Sequence, residues 1–84
     1  MNYKLLYTET AVKDIQKLDS VTKKRIKKKL ELYSSDPLRY AKRLTSNAIG
    51  AYRWRIGNCR VIFDIGRRDL VILRIGHRRE IYKK

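Results

Sequence analysis

Residues 52–65 read Tyr52-Arg53-Trp54-Arg55-Ile56-Gly57-Asn58-Cys59-Arg60-Val61-Ile62-Phe63-Asp64-Ile65. Apolar and charged side chains alternate on both sides of Gly57-Asn58, the period of a β-strand with two unlike faces. Gly57-Asn58 is a two-residue turn of the kind that closes a hairpin. Such a turn places Ile56 opposite Cys59, Arg55 opposite Arg60, Trp54 opposite Val61 and Arg53 opposite Ile62. One face then carries Tyr52, Trp54, Ile56, Cys59, Val61, Phe63 and Ile65, and is the expected core. The other carries Arg53, Arg55, Arg60 and Ile62, with Asp64 further along.

That second face is electrostatically unfavourable. Cross-strand neighbours lie about 5 Å apart at Cβ, and like charges there destabilise a sheet. At an effective dielectric near 20, two guanidiniums about 4 Å apart repel by about 4 kcal/mol, much of it relieved by splaying into water. Only Asp64 is available to offset them. Three arginines on an open face read as a phosphate site, because a guanidinium fork binds phosphate oxygens bidentately and stays charged. The plainer alternative is a solvated basic sheet face.

Working outward, residues 3–7 read as a short strand with Tyr3, Leu5 and Tyr7 on one face. Thr8 is a candidate N-cap and Glu9 suits the first helical turn. Ala11, Ile15 and Leu18 recur at helical spacing before Asp19-Ser20 breaks and restarts the chain. A second helix runs to about Tyr33 with Ile26, Leu30 and Tyr33 inward, and Asp36-Pro37 ends it. The short connection implies an antiparallel helical hairpin. Leu38 to Ile49 carries no assignable period. Beyond the hairpin, residues 66–69 turn the chain, residues 70–75 form a last strand, and Gly76 is expected to stop it. The result is an α+β fold in a single domain, residues 1–84: an N-terminal strand, then an antiparallel helical hairpin packed on a mainly antiparallel sheet completed by a three-strand C-terminal meander.

Composition narrows the partner. The chain has 84 residues, with 22 Lys+Arg against 8 Asp+Glu, a formal charge of +14. A polyanion is the expected partner, nucleic acid first and acidic protein second. Hydrophobic residues make up 43% and Gly with Pro only five positions, which separates this chain from a disordered basic tail. One cysteine excludes an internal disulfide framework, and one histidine with scattered carboxylates gives no metal site. The cytoplasm is the simplest compartment, with neither a signal peptide nor a membrane span expected.

Cys59 and Trp54 fall on the apolar face and read as core. Tyr3, Tyr7, Tyr33 and Tyr40 read as packing residues. His77 reads equally as a surface residue or a general acid. Lys23, Lys24, Arg25, Lys27, Lys28 and Lys29 surround the inward-facing Ile26. They read as a solvated scaffold surface whose charge also suits nonspecific contact with RNA.

The run from Tyr52 to Phe63, followed by Ile75-Gly76-His77-Arg78-Arg79-Glu80-Ile81-Tyr82, resembles the RelE/ParE superfamily of type II toxins, and within it the RelE branch. The resemblance covers essentially the whole chain, including the Lys/Arg-rich second helix and Leu44 before the sheet. It implies a RelE-like fold and a ribosome-dependent endoribonuclease, an mRNA interferase that cuts mRNA in the A site of the small subunit and so inhibits translation. It implies a RelB-like antitoxin covering the basic face, and no cofactor. By position it assigns catalysis to Arg53, Arg55, Arg60, Arg78 and Tyr82.

The chemistry the resemblance implies is attack of a ribose 2′-OH on the adjacent phosphorus, with arginines neutralising the charge that builds. Arg53 and Arg55 stand where some relatives have lysines, and guanidinium cannot act as a general base. Tyr82, His77 or Glu80 then takes that role, or positioning and electrostatics alone carry the rate. The alternatives are a ParE-like DNA gyrase inhibitor and a noncatalytic basic RNA- or DNA-binding module. Arg60, Arg78 and Tyr82 together argue against the gyrase reading.

Overall fold

The computed structural model describes residues 3–44 and 50–77. The elements are β1 (Lys4–Tyr7), α1 (Glu9–Gln16), α2 (Ser20–Tyr33), α3 (Pro37–Tyr40), β2 (Ala41–Arg43), β3 (Tyr52–Ile56), β4 (Cys59–Ile65) and β5 (Asp69–His77). The five strands form one sheet in the order β1-β5-β4-β3-β2. All neighbours are antiparallel except β1 and β5, which run parallel. A parallel pair needs a long crossover, and here everything between the two strands supplies it.

The β3–β4 register is the expected one, with Arg55 opposite Arg60 and Ile56 opposite Cys59. Gly57 takes a φ of 58°, a left-handed conformation that glycine adopts without steric penalty. Trp54, Val61 and Phe63 are fully buried on the apolar face, with Ile56 and Cys59 nearly so. Ile26, Leu30 and Tyr33 of α2 and Ala11 of α1 complete this core, with Ile15, Leu18, Tyr3, Leu5 and Tyr52 packed at its margin. Trp54 and Phe63 stack at 4.0 Å between centroids, and Tyr52 lies 5.7 Å from Phe63. Tyr7 departs from the expected packing role, being half exposed. Partial burial and the Glu31 carboxylate push its hydroxyl pKa up.

Both long helices begin on side-chain caps. Thr8 accepts from the Ala11 amide, and its hydroxyl lies 3.2 and 3.1 Å from the Ile72 and Leu73 carbonyls, tying the start of α1 to β5. Asp19 caps α2 by accepting from the amide and hydroxyl of Thr22. These bonds, hydroxyl first, hold its carboxyl below the usual carboxylate range.

Three departures come from tertiary pairing. The unassigned stretch after Leu38 contains β2, and Pro37 opens a one-turn helix, the position where its fixed φ and missing N–H are tolerated. Trp54 Nε1 donates to the Pro37 carbonyl at 3.0 Å, and Tyr33 stacks on Tyr40 at 4.3 Å, so α3 is held against the core. Secondly, β5 does not stop at Gly76 but continues to His77, because β4 still offers Arg60 and Cys59 as partners. Thirdly, Ile62 pairs with Arg74 while Phe63 pairs with Ile72, leaving Leu73 as an extra residue in a β-bulge. The bulge explains why Ile72 and Ile75, three apart, are both buried.

Pairing of β1 with β5 ends at Ile72, and a helix residue takes over beyond it. Asp14 of α1 accepts from the Ile75 amide at 3.0 Å and holds the Arg74 guanidinium through Nε at 2.8 Å and Nη2 at 3.3 Å. Those bonds raise the Arg74 pKa above its ordinary value. Asp14→Ala is expected to lower the unfolding free energy by about 2–3 kcal/mol in urea denaturation, since it leaves a buried amide and an arginine without their acceptor. Asp19→Ala tests the α2 cap through pH. A carboxyl depressed in the folded state stabilises above its unfolded pKa of about 3.9 and loses that contribution as pH falls through the folded value. The deficit of Asp19→Ala against the native chain is therefore expected to be full near neutrality and to shrink in acid thermal melts.

Candidate nucleic-acid interface

The sheet face opposite the helices is assembled by the β3–β4 hairpin and by β2. Reading across the strands, Lys42, Arg53 and Ile62 form one row, and Arg55, Arg60 and Gly76 the next. Arg53, Arg55 and Arg60 thus share one face, as the alternation requires. It is not uniformly open. Arg55 is exposed and Arg53 half-buried, whereas Arg60 is 5% exposed and Ile62 fully covered.

Part of that cover is the chain entering β3. A Cβ on Gly50 would come within 2.5 Å of Leu73 Cδ1 and 3.0 Å of Ile62 Cγ2, so only glycine lies this close to the face. Asp64, on the same face, accepts from the Ala51 amide at 2.7 Å through Oδ1 and pins this approach. Arg60 Nη1 donates to the Cys59 carbonyl at 3.1 Å and, more weakly, to that of Gly57 at 3.5 Å. Arg60 therefore braces the hairpin turn while placing a permanent charge beneath the exposed Arg55. Cys59 lies beside it, buried, and desolvation pushes its thiol pKa up, outweighing the opposing Arg60 and Arg25 charges. A buried thiol of raised pKa is a packing group rather than a nucleophile.

His77 is placed elsewhere. It pairs with Cys59, so the register assigns it to the helix side of the sheet, and it lines a cleft of about 570 Å³ with Asp14, Lys17, Asp19 and Arg74. The arginine row and His77 are on opposite faces. Arg78, Glu80 and Tyr82 lie outside the described residues. Among the described residues no three His, Cys, Asp or Glu side chains gather closely enough to hold a metal ion.

The α2 run lies where its sequence placed it, with Lys23, Lys24, Arg25, Lys27, Lys28 and Lys29 exposed around the buried Ile26. Its two ends reach different features. Arg25 extends to the hairpin, its Nη1 3.4 Å from where a Cβ on Gly57 would stand. Lys29 sits 5.9 Å over the Tyr33 ring. Tyr40, expected to pack, does so on one side through Tyr33, yet stays partly exposed, with Arg39 5.6 Å over its ring.

Lys42 was not legible as a site residue. The stretch around it shows no strand period, and only its pairing with β3 sets it opposite Arg53 on the arginine face. Its one sequence signal is the short basic run Lys42-Arg43 beside Leu44.

The fold and the match to known proteins make this a RelE/ParE-superfamily toxin. The chain belongs to the ParE toxin family of type II toxin–antitoxin systems, parDE, whose family model matches residues 5–82. Among solved structures it is similar to the toxin–antitoxin complex RelBE2 of Mycobacterium tuberculosis, at 29% identity and a TM-score of 0.81, over 93% of this chain and 100% of that one. It also shares its fold with a free double-mutant form of Escherichia coli RelE, at 23% identity and TM-score 0.76, over 98% of this chain and 92% of that one. The RelE–RelB complex of Pyrococcus horikoshii is a third, at 22% identity and TM-score 0.75, over 93% and 97%. No curated protein sequence matches the chain. No helix among the described residues is long and apolar enough to cross a membrane.

The unequal burial of the arginine pair separates structure from function. Arg60→Ala is expected to lower stability by about 1–3 kcal/mol, because the buried Cys59 carbonyl loses its donor. Arg55→Ala is expected to stay within about 0.5 kcal/mol of the native chain. Chemical denaturation of the two variants side by side checks this.

Proposed function

We propose that this toxin is a ribosome-dependent endoribonuclease that cleaves mRNA in the A site and thereby inhibits translation in the cytoplasm. The observation that carries this reading is the gathering of Arg53, Arg55 and Arg60 on one sheet face, with Arg55 directly opposite Arg60. Cations fixed together on one strand face make a positive field that attracts a polyanion. RNA phosphate fits that field, and Arg53 and Arg55 are the groups that touch it. Arg60, held below by the turn carbonyls, adds charge without needing to move.

The reaction transfers a phosphoryl group within the RNA. The 2′-oxygen bonds to phosphorus, the 5′-oxygen leaves, and the products are a 2′,3′-cyclic phosphate and a free 5′-OH. One proton leaves the 2′-OH and another reaches the departing 5′-oxygen. Arg53 and Arg55 stabilise the charge that develops on the non-bridging oxygens. By resemblance, Arg78 lends further charge, and Tyr82 stacks on a displaced base or moves a proton. The helix-side register of His77 favours Tyr82 over it in that role. The solved relatives RelBE2 and RelE–RelB are complexes, which supports a RelB-like antitoxin as partner, and the basic face is where we propose it sits.

DNA gyrase inhibition is the second reading, favoured by the family model, which is that of ParE. One experiment separates the two. In a translating extract, primer extension is expected to show codon-phased mRNA ends that fall by about 100-fold or more in Arg55→Ala, the size of effect seen when one preorganised transition-state donor is removed. Tyr82→Phe is expected to reduce them as well. Intact mRNA together with lost gyrase supercoiling activity would overturn the endoribonuclease reading.

A further inference from the structure

We infer that Lys42 is an RNA-binding residue that extends the phosphate track of the arginine face to the β2 edge, holding a backbone phosphate beyond the scissile one. The inference rests on the endoribonuclease reading and assigns a further contact to the same face. Lys42 and Arg53 are direct partners in the β2–β3 ladder, and Arg55 and Arg60 are direct partners in the β3–β4 ladder. Arg53 and Arg55 stand two residues apart on one strand, so these two like-charged pairs share a face about 6.8 Å apart along it. Side by side, they form a diagonal of four cations from the exposed sheet edge to the buried Arg60.

Lys42 is exposed, and among the described residues no carboxylate pairs with it. Its backbone is nonetheless fixed. Three ladder positions join β2 to β3, the Tyr33–Tyr40 stack clamps the residue two before it, and the Trp54–Pro37 bond anchors the short helix behind it. A free cation on a fixed strand is a good phosphate ligand, because little order is lost when the phosphate arrives. The competing explanation is that a lysine on an edge strand blocks edge-to-edge aggregation. That role needs a charge at the edge but not on any particular face, and Lys42 stands on the face of Arg53 and Arg55.

The test is binding of a fluorescein-labelled single-stranded RNA carrying 2′-O-methyl riboses, which cannot supply the attacking hydroxyl. Anisotropy titrations between 50 and 200 mM salt compare the native chain, Lys42→Ala and Lys42→Gln. Lys4→Ala, at the opposite sheet edge, removes the same charge and serves as the matched control. Both Lys42 variants are expected to bind about five- to tenfold more weakly at 50 mM salt and to flatten the log–log salt slope by about 0.7, the contribution of one phosphate on a single strand. If the Lys42 variants keep the slope and affinity of Lys4→Ala, the inference is overturned and Lys42 guards the edge only. Cleavage of ribosome-bound mRNA with an unchanged Lys42→Ala slope sinks this inference and leaves the endoribonuclease reading standing. A flattened slope in a chain that never cuts mRNA does the reverse.

Discussion

The register of the β3–β4 hairpin is the constraint on which the rest of the molecule depends. Two turn residues, Gly57 with its positive φ and Asn58, fix which side chains stand opposite each other. Because side chains alternate with period two, a slip of one residue would carry Trp54, Val61 and Phe63 to the face of the arginines. Burial of those three, together with the Trp54–Phe63 stack, makes such a slip prohibitively unfavourable. The energy that sets the register is thus hydrophobic and lies on the helix side. The functional consequence lies on the other side, where Arg55 is forced against Arg60 whatever the electrostatic preference of the pair.

The excess charge of +14 is partitioned by the fold. The α2 cations point to solvent around a single buried isoleucine, a broad surface suited to a large polyanion at long range. The sheet face carries fewer charges but fixes them on strands, and one of them is buried. Fields from ordered, partly desolvated cations are screened less than those from exposed ones. Arg25 reaches from the helix toward the Gly57 turn, so the two surfaces meet at the hairpin end of the molecule. Asp14 plays the complementary part at the sheet edge. There a single buried carboxylate replaces a missing strand partner and pairs with Arg74, which sets that arginine apart from Arg53, Arg55 and Arg60.

Much of the fold and most of the candidate site were legible because their signals are local. Thr8 and Asp19 cap helices through neighbours three residues on, and the hairpin carries its own turn and its own period. The stretch around β2 carries no such signal. Three residues are too few to show alternation, and β2 is a strand only because β3 lends it hydrogen bonds while the Tyr33–Tyr40 and Trp54–Pro37 contacts hold α3 beside it. The bulge at Leu73 and the run of β5 through Gly76 are likewise responses to what β4 presents.

The amino-acid sequence by itself determined two sheet faces of opposite character, the facing of Arg55 on Arg60, and two capped helices to cover the apolar side. Each of these follows from short-range periodicity and turn stereochemistry. Only the tertiary structure decided that Arg60 is buried while Arg55 is exposed, that His77 stands on the other face, and that Lys42 joins the arginines. Those outcomes depend on which distant segment packs on or pairs with a strand. No period within one stretch of chain encodes that choice; it is made where strands far apart in sequence meet.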